Sequence, residues 1–126
     1  MNPSRGSIRI LAVDDHHIFR ESLALLLATE PDMNLVAEAS NGRAAIQQFR
    51  QNRPDVTVMD VQMAEMNGLD AMVAIRKEFP EAKIILITTY EIDVEDAMRL
   101  GARACLLKTQ LVEQLVGIIR AVQAAK

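Results

Sequence analysis

Val56-Thr57-Val58-Met59-Asp60, followed by Val61-Gln62-Met63-Ala64-Glu65-Met66-Asn67-Gly68, decides the fold. A short β-branched apolar run ends abruptly in a carboxylate. The loop after it closes on Asn-Gly, a strong turn dipeptide. A buried strand that delivers one acid at its carboxyl end is a device for presenting that acid, and the flanking chain can be tested against this idea.

Toward the C-terminus, Gly68 to Phe79 is helical, with Leu69, Met72, Val73 and Ile75 apolar, and Pro80 stops it. Lys83 to Thr88 is the most strand-like segment of the chain. Ile92 to Leu100 is expected to be a short charged helix with Val94, Ala97 and Met98 inward and Gly101 at its C-cap. Arg103 to Leu107 is a fifth strand that ends at Lys108, and Gln110 to about Gln123 is a final helix. Toward the N-terminus, Asp55 to Asp60 is preceded by a helix over Arg43 to Asn52, a turn at Ser40-Asn41-Gly42 and a strand over Met33 to Ala39. Before Pro31-Asp32, a helix over His17 to Glu30 carries Phe19, Leu23, Leu26 and Leu27 on one stripe. Ile8 to Val13 is the first strand and runs into Asp14-Asp15, while Met1 to Ser7 reads as a flexible leader.

The order is βα five times over. Crossover helices between strands require a mostly parallel sheet covered on both faces, and right-handed crossovers restrict its topology. The expectation is an α/β, (βα)5 doubly wound parallel five-stranded sheet of flavodoxin-like type, strand order 2-1-3-4-5. One domain fills 8–126 after a leader at 1–7.

Composition excludes several classes. The 126 residues suit one domain, and a formal net charge of −3 gives no electrostatic reason to bind nucleic acid or an anionic membrane. Cys105 has no partner for an internal disulfide. Three Phe, one Tyr and no Trp are too few for base stacking or an aromatic cage. No apolar run approaches the ~20 residues needed to span a bilayer and no signal peptide is visible, so the expected location is cytoplasmic.

In open parallel sheets, ligands bind beyond the carboxyl ends of the strands. Those ends carry Asp14-Asp15, Asp60, Thr88 and Lys108. Singly, each has an ordinary reading: a helix cap, a turn acid, a loop hydroxyl, a solvated lysine. Together they bring three acids, a hydroxyl and an ammonium to one sheet edge. Crowded carboxylates call for a counter-charge, and Mg2+ takes oxygen ligands and joins carboxylates to phosphate. A phosphoryl group meeting Mg2+ and Lys108 could be attacked by a carboxylate to form an acyl phosphate. Asp60 is the candidate nucleophile, with Asp14 and Asp15 placed to hold the metal. His16 and His17 have no third histidine or nearby cysteine, and are assigned to the start of the first helix. The Met59, Met63 and Met66 group is read as loop and core filling, and Cys105 as a small core residue.

Asp14-Asp15, Asp60, Thr88 and Lys108, spaced over five βα units, resemble the receiver domain of two-component response regulators. The CheY-like resemblance runs from about Ile8 to Ala124. Val13-Asp14-Asp15-His16, Ile84 to Tyr90 and Gly101 to Lys108 are similar to the NarL/FixJ subfamily, whose receivers usually precede a LuxR-type helix-turn-helix output domain. The resemblance implies that Asp60 accepts a phosphoryl group from a sensor histidine kinase, and that Asp15, Asp60 and the Gln62 backbone carbonyl hold Mg2+, Asp14 acting largely through water. It implies further that Lys108 pairs with the phosphoryl oxygens and that the Thr88 hydroxyl moves to them. That movement would shift the surface of the fourth helix, fifth strand and fifth helix. Homodimerisation on phosphorylation, and DNA binding only through an output domain beyond Lys126, belong to the same expectation, with a stand-alone receiver as the alternative.

Three positions depart from the pattern. Cys105 stands where receivers commonly carry a rotating aromatic, Ala64 where a proline is frequent after the acceptor loop, and Thr109 where many receivers have a proline after the lysine. Gln62 and Tyr90 are expected to flank the phosphoryl site and to tune the lifetime of the phosphorylated state by admitting or blocking water. Competing classes fit less well. Val13-Asp14-Asp15-His16-His17 does not match the Asp-x-Asp-x-Thr/Val signature of haloacid-dehalogenase-like phosphatases, and no glycine-rich turn follows the first strand as a dinucleotide fold requires. An interaction module that is never phosphorylated is disfavoured by the complete set of acids, Thr88 and Lys108. The chain is expected not to be an enzyme with substrate turnover.

Overall fold

The computed structural model describes residues 7–125, so the expected leader lies outside the described residues except for Ser7. Five strands, β1 (Ile8–Val13), β2 (Met33–Ala39), β3 (Val56–Asp60), β4 (Ile84–Thr88) and β5 (Ala104–Leu107), form one parallel sheet in the order β2-β1-β3-β4-β5. Helices α1 (His17–Ala28), α2 (Gly42–Asn52), α3 (Gly68–Glu78), α4 (Val94–Leu100) and α5 (Leu111–Ala124) connect and cover it, with a short 3-10 turn over Lys108–Gln110 ahead of α5. The expected (βα)5 topology is the one observed.

Alternation along the central strands builds two core layers. Ile10, Ala12, Val56, Val58, Ile85 and Ile87 face one layer, where Leu23 and Leu27 of α1 and Leu115 and Ile119 of α5 meet them. Leu11, Val13, Met59, Ile84 and Leu86 face the other, against Ala45 and Phe49 of α2 and Ala71, Met72 and Ile75 of α3. All five residues of β3 and all five of β4 are buried, which is why neither strand shows a polar alternation.

Helix starts depend on side chains that the sequence reading places in turns (Asn41, Asn67) or inside the helix (Asp93). The Asn41 side chain accepts from the Ala44 N–H, that of Asn67 from Asp70 and that of Asp93 from Asp96, so each is an N-cap. The Asp93 cap starts α4 at Val94, later than the expected Ile92. That helix also corrects the inward assignment of its residues. Only Ala97 is buried, while Val94 and Met98 stand 51% and 43% exposed, because seven residues make too short a helix to lay a full apolar stripe on the sheet.

Two glycines set the position of the site. Gly101 closes α4 at φ 123°, a region that side chains with a Cβ rarely adopt. Gly68, first residue of α3, returns onto the end of β3, and its N–H donates to the Val61 carbonyl at 2.9 Å. A Cβ there would overlap the Asp60 carbonyl oxygen, whereas one at Gly117 in α5 meets nothing within 4 Å. Gly68→Ala is therefore expected to cost about 1–3 kcal/mol through overpacking. Gly117→Ala is expected to add roughly 0.5–1 kcal/mol through helix propensity. Urea unfolding of both variants checks the opposite signs.

Candidate functional site

The site is built at the carboxyl ends of the strands. Val13 and Met59 are in register, so the acids after them emerge side by side from β1 and β3. Asp14 and Asp60 have no exposed surface, and Thr88 at the end of β4 is also buried. Asp15 is exposed at the pocket mouth. Lys108 reaches in from the end of β5: its Nζ lies 2.8 Å from Asp14 Oδ2 and 3.4 Å from Asp60 Oδ2. The ammonium sits 4.2 Å from the centroid of the Phe19 ring, whose π-face replaces part of its lost water.

The turn after β1 is fixed by its own polar groups. The Arg20 guanidinium donates to the Asp14 carbonyl at 2.6 Å, and the His16 N–H donates to Asp14 Oδ1 at 2.8 Å. Asp14 therefore holds the turn with Oδ1 and turns Oδ2 into the pocket. The contact of Oδ2 with Lys108 is an ion pair without hydrogen-bond alignment, so this buried oxygen receives no hydrogen bond.

A second polar cluster adjoins the first. Gln62 Nε2 donates to Thr88 Oγ1 at 2.7 Å, and Gln62 Oε1 accepts from the Thr89 N–H at 3.0 Å. The Thr88 hydroxyl lies 2.7 Å from the Tyr90 carbonyl, and the Tyr90 N–H returns to Oγ1 at 3.2 Å. Thr88 is thus held by Gln62 and Tyr90 in this structure. The Gln62 N–H donates to Asp60 Oδ1 at 3.2 Å, which ties the two clusters together.

The structure brings Asp14, Asp15, Asp60 and Lys108 into one pocket and Thr88 to its flank. Beyond the expected place of Gln62 at the flank of the site, it adds three contacts that sequence reasoning missed. Gln62 acts through its side chain as well as its backbone, Arg20 pins the first turn, and His16 joins the acids. Only His16 had a visible signal, its adjacency to two acids at a strand end. His17 belongs to the helix surface and pairs with Glu21 at 2.9 Å. Cys105 is half-buried beside a groove of about 350 Å³ that Thr88, Ile92, Val94 and Leu107 also line. Burial pushes its thiol pKa up, so it remains a neutral, small wall residue.

The donor set suits a small hard cation. Asp14, Asp15 and Asp60 are oxygen donors with one ammonium among them, and the buried Asp14 oxygen has acceptor capacity to spare. Burial and the neighbouring Asp14 charge raise the Asp60 pKa, with Lys108 and the Gln62 N–H opposing them.

A doubly wound sheet with an acid pocket and a lysine at its carboxyl edge narrows the class, and comparison with known proteins completes the assignment. Residues 10–120 match the response regulator receiver domain family, and the chain belongs to it. The uncharacterized transcriptional regulatory protein YhcZ of Bacillus subtilis is 36% identical over 111 residues, which cover 86% of this chain and 52% of that protein. The chain therefore spans about half the length of such relatives. Among solved structures, a LuxR-family two-component response regulator from Aurantimonas superposes with a TM-score of 0.88 at 32% identity, covering 94% of this chain and 86% of that one. The signal receiver domain of NarL from Mycobacterium tuberculosis gives a TM-score of 0.80 at 29% identity, covering 90% and 97%.

The chain is thus a receiver domain of the kind found in response regulators, a signalling domain whose homologues are transcriptional regulators. Receiver domains bind Mg2+ at an acidic pocket and are generally phosphorylated by histidine kinases, and the acid cluster here corresponds to such a pocket. No helix among the described residues is long and apolar enough to cross a membrane.

An acid whose folded-state pKa stands above its unfolded value destabilises the fold once ionised. The penalty is absent below the ordinary carboxylate range, grows between the ordinary and the raised pKa, and is complete above the latter. Asp60→Asn is accordingly expected to be more stable than wild type at neutral pH, with the difference closing as pH falls toward about 4. Urea titrations across pH in a chelator-containing buffer would show it, and a gain independent of pH would contradict it.

Proposed function

We propose that Asp60 is the residue of this receiver domain that accepts a phosphoryl group, from a phosphohistidine on a sensor kinase. Its position carries the reading: a fully buried carboxylate at the end of a central strand, with Lys108 Nζ 3.4 Å away and two further acids beside it. An Asp60 carboxylate oxygen attacks phosphorus, the O–P bond forms, the N–P bond of the donor breaks, and its electron pair returns to the donor imidazole. Asp15 and Asp60, with the Gln62 carbonyl, would hold Mg2+, Asp14 contributing through water. The bound cation supplies charge neutralisation as the phosphoryl group arrives. Lys108 is placed to pair with a phosphoryl oxygen once Asp60 carries the group.

The Thr88 hydroxyl is the residue proposed to respond. Its present partners are Gln62 and Tyr90, so bonding a phosphoryl oxygen means leaving the Tyr90 carbonyl. That exchange would bias the loop after β4 and the α4–β5–α5 face, a population shift driven by one new charge. Control of an output domain that binds DNA, homodimerisation of the phosphorylated form and a cytoplasmic location belong to the same proposal. The relatives whose length this chain half-spans include transcriptional regulatory proteins, which supports the output reading.

Intact mass after incubation with acetyl phosphate tests the acceptor. Wild type is expected to gain about one phosphoryl group in a Mg2+-dependent manner, and Asp60→Asn to gain none. A folded wild-type protein that gains nothing would leave an interaction module that is never phosphorylated. Tyr90 is 68% exposed at the flank of the pocket, and its lifetime role has its own check. Tyr90→Ala is expected to change the half-life of the phosphorylated protein, and a half-life equal to wild type would remove the tyrosine from the mechanism.

A further inference from the structure

One side chain in the acid pocket has no part in the phosphoryl reading. His16, the residue before α1, points its Nδ1 at both acids of the first turn, 2.9 Å from Asp14 Oδ1 and 3.0 Å from Asp15 Oδ1. One ligand atom from each of Asp14, Asp15, His16 and Asp60 can be chosen so that all lie within 4.8 Å of one another. Neighbouring ligands about 2.1 Å from an octahedral ion stand about 3.0 Å apart, so Nδ1 already keeps that spacing from two carboxylate oxygens. The backbone holds it there, since the His16 N–H donates to the same Asp14 Oδ1 at 2.8 Å. The buried Asp14 Oδ2 meets only the Lys108 ammonium, at 2.8 Å and without hydrogen-bond alignment, so it keeps acceptor capacity facing the pocket.

The identity of the ion follows from the chemistry of the nitrogen. Mg2+ prefers oxygen and water, and gains little from an imidazole. Nickel, zinc, copper and iron dications accept imidazole readily beside carboxylates. We propose that His16 is a metal-selecting ligand that makes the acid pocket a mixed nitrogen–oxygen site. Its Nδ1 joins Asp14, Asp15 and Asp60 around borderline transition-metal dications and swings out to solvent when Mg2+ binds. This rests on the reading of the pocket as a divalent-cation site. The exposed ring, 65% accessible, can make that movement without disturbing the core. His17 provides the control, because its ring is engaged by Glu21 on the helix surface.

Calorimetric titration of Ni2+ and of Mg2+ into metal-free wild type, His16→Ala, His17→Ala and Asp60→Asn tests the proposal. His16→Ala is expected to weaken Ni2+ by on the order of tenfold or more while leaving Mg2+ no weaker than in wild type. His17→Ala is expected to leave the ratio of the two affinities unchanged. With Cu2+ as a spectroscopic probe, nitrogen superhyperfine coupling should be present in wild type and His17→Ala and absent in His16→Ala. An affinity ratio equal in wild type and His16→Ala, or one that moves only in His17→Ala, overturns the role of His16 and leaves the Mg2+ pocket standing. Binding of both metals that Asp60→Asn leaves intact overturns the pocket itself and the proposal with it.

Discussion

Two carboxylates without solvent exposure share one ammonium at the end of the sheet, and much of the architecture serves that arrangement. Buried charge is tolerated only where it is paired, and removing one partner strands the other. Asp14 and Asp60 are neighbours because β1 and β3 pair in register. Lys108 starts from β5, two strands away from β3, and only a long side chain can return across the end of β4. The Phe19 face and the Asp14 contact define where that side chain stops. The charge count is still unbalanced, since Asp15 adds a third acid to the same pocket. An acid pocket left with surplus negative charge favours cations, while burial first and the Asp14 charge second keep the Asp60 pKa above its ordinary value.

Beside this charged group lies a neutral one, Gln62 with Thr88 and Tyr90. Gln62 is the bridge, with its backbone N–H on Asp60 Oδ1 and its side-chain amide on Thr88 Oγ1. A change in charge at Asp60 therefore alters the electrostatic setting of the group that also restrains Thr88. The physical link is one residue long.

The strands were legible because each central one is buried on both faces and leaves an unbroken apolar run. The acids, Thr88 and Lys108 were legible because each directly follows such a run. The Gln62 amide was not, since it meets Thr88 from 26 residues away and nothing local marks the encounter. Residue identity alone distinguishes poorly between a turn and a cap, so Asn41 was read as turn material although it starts a helix. Val94 and Met98 show the limit of periodicity. Spacing says which residues share a face, but a seven-residue helix settles which face is buried through its contacts. His16 and His17 stand where the sequence assigns them, at the cap position and first residue of α1, but counting histidines and cysteines gives no sign of the contacts of His16 with the carboxylates one and two residues earlier.

Cys105 bears on how Thr88 can act. The thiol is held neutral by burial and forms a small part of a groove wall that Thr88 also lines. A bulky ring at that position would have to turn whenever the threonine moved, so the two motions would be coupled by volume. With cysteine there, the groove has room and that steric coupling is weak. What restrains Thr88 here is hydrogen bonding, to the Gln62 amide on one side and the Tyr90 backbone on the other. Movement of Thr88 toward Asp60 must break the bond to the Tyr90 carbonyl, which lies within the loop leading into α4. On the proposed switch, the route from the acid pocket to the α4 surface would therefore run through the hydrogen bonds of Thr88 more than through a rotating side chain.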